Sequence, residues 1–212
     1  MSPSRDIASL CFRRIGHAEL GVVASLQLEP IERFIEPVAT ILAIVRRGPA
    51  HTLVAIESAQ GPVGFYVVHP DRRDAACWWL GWLAIDWRFQ GCGLGRVAIA
   101  AAMYRLRAIT GCRRVRLLVA PDNEPALRLY RRAGFELAGV CAATGEWIME
   151  YDAGGNVPQQ ERLALVANAY TLLQAMWLRL WRRGAPPAAK LSGEFHGPPG
   201  SGLPTRVVFR FA

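Results

Sequence analysis

Apolar and polar positions along the chain switch repeatedly between a period of two and a period near three and a half, and the switches predict an alternation of strands and helices. Ile7 to Ile15 reads as a strand, and Ala18 to Leu28 and Ile31 to Val45 read as two helices divided by Pro30, the second kinked or restarted at Pro37. His51 to Glu57 and Val63 to Val68 flank the turn Ala59-Gln60-Gly61-Pro62, a hairpin signal. Cys77 to Ile85 is a long aromatic-rich run with too little polar alternation for a wet face, so it is expected at the centre of a sheet. Val97 to Ile109 reads as a helix and Val115 to Val119 as a short strand. Pro125 to Ala133 reads as a helix capped by Asp122 or Asn123 and stopped by Gly134. Phe135 to Val140 and Trp147 to Tyr151 close the series as strands. The fold class expected is mixed α/β, a sheet with flanking helices.

Gly154-Gly155-Asn156-Val157-Pro158 marks a boundary, dividing a domain over 1–152 from an extension over 153–212. In the extension, Leu163, Val166, Tyr170, Leu173, Trp177 and Leu180 recur at helical spacing, predicting an amphipathic helix over about 159–183. A Gly- and Pro-rich loop over 184–204 and a terminal strand over 207–211 follow. The apolar stripe needs a cover. Packing on the first domain or in a homodimer is favoured over a membrane-surface contact through Trp177, Trp181, Arg179, Arg182 and Arg183.

With 52% hydrophobic and 20% charged residues in 212, the chain buries a core and is not a disordered one. The net charge of +8 is concentrated in the extension, where 7 basic face 2 acidic residues, against 18 and 15 in residues 1–152. No helix interleaves a basic face with stacking aromatics, so nucleic acid is not the expected partner. The start lacks an apolar signal region, and the apolar run from Leu163 to Trp181 is broken by Asn168, Gln174 and Arg179. The five dispersed cysteines read as free thiols, and a cytoplasmic location is expected.

Two segments carry chemistry. Asp86-Trp-Arg88-Phe-Gln90-Gly91-Cys92-Gly93-Leu94-Gly95-Arg96 follows the central strand and runs into a helix, so glycine backbone and a helix N-terminus together offer N–H donors to an anion such as a pyrophosphate. Arg at 96 breaks the dinucleotide fingerprint GxGxxG, and no Gly-Lys-Ser/Thr follows to make a P-loop. In the second, Asn123-Glu-Pro-Ala126-Leu-Arg-Leu129-Tyr130-Arg-Arg-Ala-Gly134-Phe135, Ala126 and Tyr130 share a helical face, and the small residue leaves room beside the phenol. Taken alone, that tyrosine reads as half-buried packing.

Gln90-x-x-Gly93-x-Gly95 after a strand, then Asn123-x-x-Ala126-x-x-Leu129-Tyr130-x-x-x-Gly134-Phe135 about thirty residues later, resembles the GNAT superfamily of acetyl-CoA-dependent N-acetyltransferases. The resemblance spans about 5–152 and implies a strongly twisted sheet and acetyl-CoA as co-substrate. It implies that the CoA pyrophosphate lies on the loop of Arg88, Gln90, Gly91, Cys92, Gly93, Leu94, Gly95 and Arg96. The pantetheine would then enter between splayed strands Cys77 to Ile85 and Val115 to Val119, touching backbone at Leu83, Ala84 and Ile85, with Asn123, Ala126 and Tyr130 flanking the thiol.

Acetyl transfer to an amine needs a donor for the oxyanion, an acid for the departing thiolate and a route for the amine's proton. Tyr130 is the acid expected, its phenol being protonated at neutral pH. A backbone N–H near Leu83 or Ala84, freed by a bulge in the central strand, is the expected oxyanion donor. Cys77 to Ile85 holds no carboxylate, so the base is water or one of Glu29, Glu32 and Glu36.

Leu26 to Pro37, Gly64-Phe65 and Trp79 to Asp86 resemble the bacterial diamine and spermine/spermidine acetyltransferase branch, although Gly81-Trp82 stand where that branch often has Asp-Arg. By that resemblance the three glutamates pair with a polycation, and otherwise they form a solvated face. Trp82 serves core packing or stacks on a substrate cation. His17, His51, His69 and His196 form no metal or nucleophile/base spacing and read as surface or capping residues, and no metal is expected. Cys92 reads as filler, because direct transfer needs no acyl-enzyme. Two alternatives to a small-amine enzyme are acetylation of peptide N-termini or lysines, and a non-catalytic CoA-sensing domain whose basic tail binds a partner.

Overall fold

Runs of β-branched and aromatic residues assemble into a nine-stranded sheet in the computed structural model, which describes residues 9–154, 191–196 and 206–211. The strands are β1 (Ser9–Ile15), β2 (Thr52–Ser58), β3 (Gly61–Pro70), β4 (Cys77–Ile85), β5 (Arg114–Val119), β6 (Glu136–Val140), β7 (Trp147–Asp152), β8 (Leu191–His196) and β9 (Arg206–Phe211). The helices are α1 (Val38–Arg47), α2 (Leu94–Arg107) and α3 (Glu124–Arg132). Strand order is β6-β7-β5-β4-β3-β2-β1-β9-β8, with β4 internal as its apolar run requires. Every pair is antiparallel except β4 with β5.

Period-two alternation sorts each strand between two cores. Phe12, Val54, Ile56, Tyr66, Val68 and Leu80 face α2 and α3. Leu53, Ala55, Phe65, Val67 and Ala84 face the other way, against Leu20, Val23, Ile41 and Leu42.

The first helices differ from the reading of the sequence. His17–Ser25 and Glu29–Phe34 are 3₁₀ turns, and the α-helix begins only after Pro37. The reason is visible in the spacing: Leu20, Val23 and Leu26, all buried, recur every third residue, the repeat of a 3₁₀ helix. Pro30 and Pro37 then prevent a continuous α-helix. At α3 the cap is Asn123, whose side chain accepts from the Ala126 N–H at 3.2 Å.

The stretch over 184–204, expected to be mostly loop, contains the short strand β8, which forms a hairpin with β9, and β9 pairs with β1 from Ser9 to Arg13. The helix expected over about 159–183, and with it the homodimer and membrane-surface readings, lies outside the described residues.

Two irregularities in β4 shape the interior. Val67 pairs with Trp82 and Val68 with Leu80, so Gly81 is an extra residue bulged out of the ladder. A one-residue insertion reverses the faces that follow it. Trp78 and Leu80 point toward α2, yet Trp82 and Ala84 point toward α1, with Leu83 and Ile85 returning to the α2 side. Beyond three residue pairs with β5, ending at Trp79↔Arg116, the two parallel strands separate.

Candidate active site

The separation of β4 from β5 opens a cavity of about 410 Å³. Gly81, Trp82, Leu83 and Ile85 line it from β4, and Leu118 and Val119 from β5. Its floor is the glycine loop, contributing Gln90, Gly91, Gly93, Leu94, Gly95 and Arg96, and α3 adds Asn123, Ala126 and Tyr130.

Each glycine of the loop has its own task. Gly91 and Gly93 have φ of +74° and +92°, a backbone state costly for other residues, and Gly93 is the N-cap of α2. Gly95 is instead a matter of space, since a Cβ there would stand 3.3 Å from Leu129 Cδ2 of α3. The Gln90 side chain donates to the Ile85 carbonyl at 2.8 Å, tying the loop to the end of β4. Backbone N–H groups at the start of α2 lack intrahelical partners, so the cradle presents donors and a positive helix end, with the exposed Arg96 at its edge. Such a cradle fits a pyrophosphate, and the gap between β4 and β5 continues from it into the sheet.

Tyr130 packs in the α2-side core with its ring 6.0 Å from that of Phe135. Burial pushes its phenol up to about 12. Among the described residues its hydroxyl has no hydrogen-bond partner, and the residue lines the cavity.

Several residues named from the sequence stand elsewhere. The Ala84 side chain is fully buried in the α1-side core, which leaves only its backbone to a ligand. Arg88 is held by the buried Asp86, its Nε donating to Oδ1 at 2.9 Å and its Nη2 to Oδ2 at 2.7 Å, and it is not among the cavity-lining residues. Cys92 turns its thiol to the Phe89 carbonyl, also off the cavity. Glu29 is exposed and away from the cavity, and the Glu32 side chain lies outside what the structure describes.

Glu36 does not line the cavity itself but accepts a 2.6 Å hydrogen bond from Nε1 of Trp82, which does. The bulge expected near Leu83 or Ala84 falls at Gly81.

On the α1 side of the cavity the sequence pointed to Trp82 and Glu36 but not to the residues beside them. Phe34 and Ile35, at the end of the second 3₁₀ turn, line it beside Trp82. His51 and His69 are not isolated surface residues: their rings are 4.6 Å apart, and His51 is 6.5 Å from the Trp82 ring. Gly81 inside an aromatic strand was the available signal, since an interior strand glycine marks a bulge.

Asp86 joins the two sides. Its carboxylate accepts from the backbone N–H groups of Gln27 and Arg88, both at 3.0 Å, while the Trp87 N–H donates to the Gln27 carbonyl. Burial opposes its charge, but the Arg88 side chain and the two backbone donors outweigh that and hold the carboxyl below its usual range. Among the described residues there is no cluster of three metal-ligating side chains, and no helix is long and apolar enough to cross a membrane.

Comparison with known proteins agrees with this geometry. The spermine/spermidine N(1)-acetyltransferase of Bacillus subtilis (strain 168) is 38% identical over 71 residues, 34% of this chain and 47% of that protein. The peptidyl-lysine N-acetyltransferase YjaB of Escherichia coli (strain K12) is 31% identical over 86 residues, 41% of this chain and 50% of that protein. The chain thus spans half or less of the length of these curated relatives. The crystal structure of spermidine N-acetyltransferase from Vibrio cholerae in complex with CoA and spermine superposes with a TM-score of 0.54, at 18% identity, over 66% of this chain and 92% of that one. The acetyltransferase (GNAT) family matches residues 20–135, from the first 3₁₀ turn through the glycine loop to the end of α3, and with more than half its length inside that match the chain belongs to this family.

Proposed function

We propose that this chain transfers an acetyl group from acetyl-CoA to the primary amine of a small cationic molecule. One observation carries the reading: a single cavity runs through the split between β4 and β5, with an anion cradle and a protonated tyrosine on the α2 side and an aromatic, acid-tipped wall on the α1 side. When bound, acetyl-CoA supplies the activated acetyl group. The chain does the rest. The glycine loop and the start of α2 hold the pyrophosphate, and the separated backbone of β4 and β5 receives the pantetheine arm. Gly81, outside the ladder, leaves backbone N–H groups at the bulge to donate to the acetyl oxygen as charge develops on it. Tyr130, kept neutral by burial, gives its proton to the departing sulfur.

Glu36 supports a cationic acceptor. Its Oε2 is committed to Trp82, which fixes the carboxylate beside the cavity and leaves Oε1 for an ammonium while the indole face lies alongside. Likeness to the spermine/spermidine enzyme favours a polyamine, and likeness to the peptidyl-lysine enzyme makes a lysine side chain the second reading. The test is thiol release from acetyl-CoA over a panel of polyamines, amino acids, aminoglycosides and peptides. Turnover highest with di- and polyamines is expected. Reaction with peptides alone would favour the second reading, and CoA binding without release for any amine would leave a sensing domain.

A further inference from the structure

The acceptor's proton needs somewhere to go, and no carboxylate in β4 takes it. The opposite strand supplies a candidate. His69 stands across from Trp79 on β3, on the α1 side of the sheet and next to the bulge. Its Nδ1 lies 3.1 Å from the Pro70 carbonyl, which can only accept, so Nδ1 carries the hydrogen and Nε2 keeps a lone pair. That Nε2 edge is 3.4 Å from where a Cβ would stand at Gly81, a cavity-lining residue. Any side chain at 81 would cover the imidazole edge; glycine leaves it open. His51 stacks from the turn before β2, with its own Nδ1 on the Gly48 carbonyl, and Glu36 and Trp82 stand beyond it.

We propose that His69 Nε2 is the proton acceptor for the amine, reached across Gly81 directly or through one water. This rests on the acetyl-transfer reading above. As the nitrogen–carbon bond forms, the N–H becomes acidic and its proton moves to Nε2. The carbon–sulfur bond breaks, the sulfur takes the Tyr130 proton, and the imidazolium proton returns through solvent to the tyrosine; an amine that enters neutral leaves the proton count unchanged, and one that arrives as the ammonium first gives one proton to solvent. The surroundings suit a base at neutral pH. Burial lowers the affinity of His69 for a second proton, the Pro70 carbonyl opposes that, His51 and Arg72 reinforce it, and Asp71 opposes it. The net direction is down from the ordinary value of about 6.5.

Two measurements on the whole chain test this. In nitrogen-detected NMR of the protein without acetyl-CoA, His69 should show the Nδ1–H tautomer at pH 7 and titrate below the ordinary imidazole value; an Nε2–H tautomer overturns the assignment. In steady-state kinetics at saturating primary amine, wild-type kcat should fall as pH drops through the lowered pKa of His69. His69→Gln should lower kcat ~10²-fold and remove that acid limb, with acetyl-CoA affinity unchanged. Gly81→Ala sets a methyl in ordinary contact with the imidazole, so it should fold normally yet lower kcat in the same way. An active wild type whose acid limb persists in His69→Gln overturns this inference alone. A wild type that acetylates no amine overturns the acetyl-transfer reading and this inference with it.

Discussion

The two walls of the cavity are built on opposite principles. The α2 side is made from contiguous segments, the loop from Asp86 to Arg96 and the helix from Glu124 to Arg132, each of which holds its chemistry within one short run of chain. The α1 side is assembled from pieces far apart in sequence: Phe34 and Ile35 from a 3₁₀ turn and Trp82 from beyond a bulge line it, and behind them stand Glu36, held by a hydrogen bond, His69, placed by strand register, and His51, from the turn before β2. A local wall is fixed by backbone conformation, and a composite one by tertiary packing. The co-substrate side is therefore expected to tolerate little change, while the acceptor side is where specificity can shift at small cost.

Changes on each wall sharpen this contrast. The largest effect is expected from Tyr130→Phe, which keeps the ring against Phe135 and removes the proton. The turnover number should fall by ~10² to ~10⁴ with acetyl-CoA affinity unchanged, and survival of kcat within about threefold would mean another donor acts.

Asp86→Asn attacks the pin between the walls and should cost about 2 kcal/mol in denaturant unfolding, since Gln27, Arg88 and the loop lose a charged acceptor. The sign of its pH dependence follows from the depressed carboxyl. Stability from Asp86 is full above the unfolded value of about 4 and is lost as pH falls through the lower folded one. The variant should lack that part of the acid loss of Tm, and an unchanged acid profile would show that the pin contributes nothing.

Gly93→Glu puts a side chain and a negative charge on a left-handed residue at the cradle. Acetyl-CoA should bind more than tenfold more weakly by calorimetry, or more than ~1.4 kcal/mol, and an unchanged Kd would remove the loop from the site.

The smallest effect is expected on the composite wall. Glu36→Gln can still accept from Trp82 but loses its charge, so KM for spermidine should rise a few-fold more than KM for a monoamine of similar length. The difference should shrink at high salt, and equal effects on both amines would return Glu36 to a purely structural part.

Legibility in the sequence follows the same division. The glycine loop and the Asn123-to-Phe135 helix could be read because turn chemistry, capping and helical spacing are short-range. Trp78, Trp79 and Trp82 do not alternate regularly along the sequence, and only the register of β3 against β4 shows that Gly81 turns Trp82 to the other face. Leu20, Val23 and Leu26 fit a three-residue repeat as well as an α-helical stripe, and the prolines around them decide which. Arg88 and Cys92 carried the right side chains in the right loop, but a buried carboxylate and a nearby carbonyl claim them first. His69 gave no local sign, since its neighbours come from the turn before β2 and from β4.

The hairpin of β8 and β9 joins the sheet at β1, with β2, β3 and β4 lying between that strand and β5, and its consequence is colloidal. By pairing with Ser9 to Arg13 it occupies the backbone donors and acceptors of β1 and moves that margin of the sheet, the kind of surface that recruits a second copy, out to β8. A chain cut after Gly154 would retain every described cavity-lining residue and bind acetyl-CoA, yet with β1 in place of β8 at the margin it should self-associate as concentration rises, a change that sedimentation velocity would read directly.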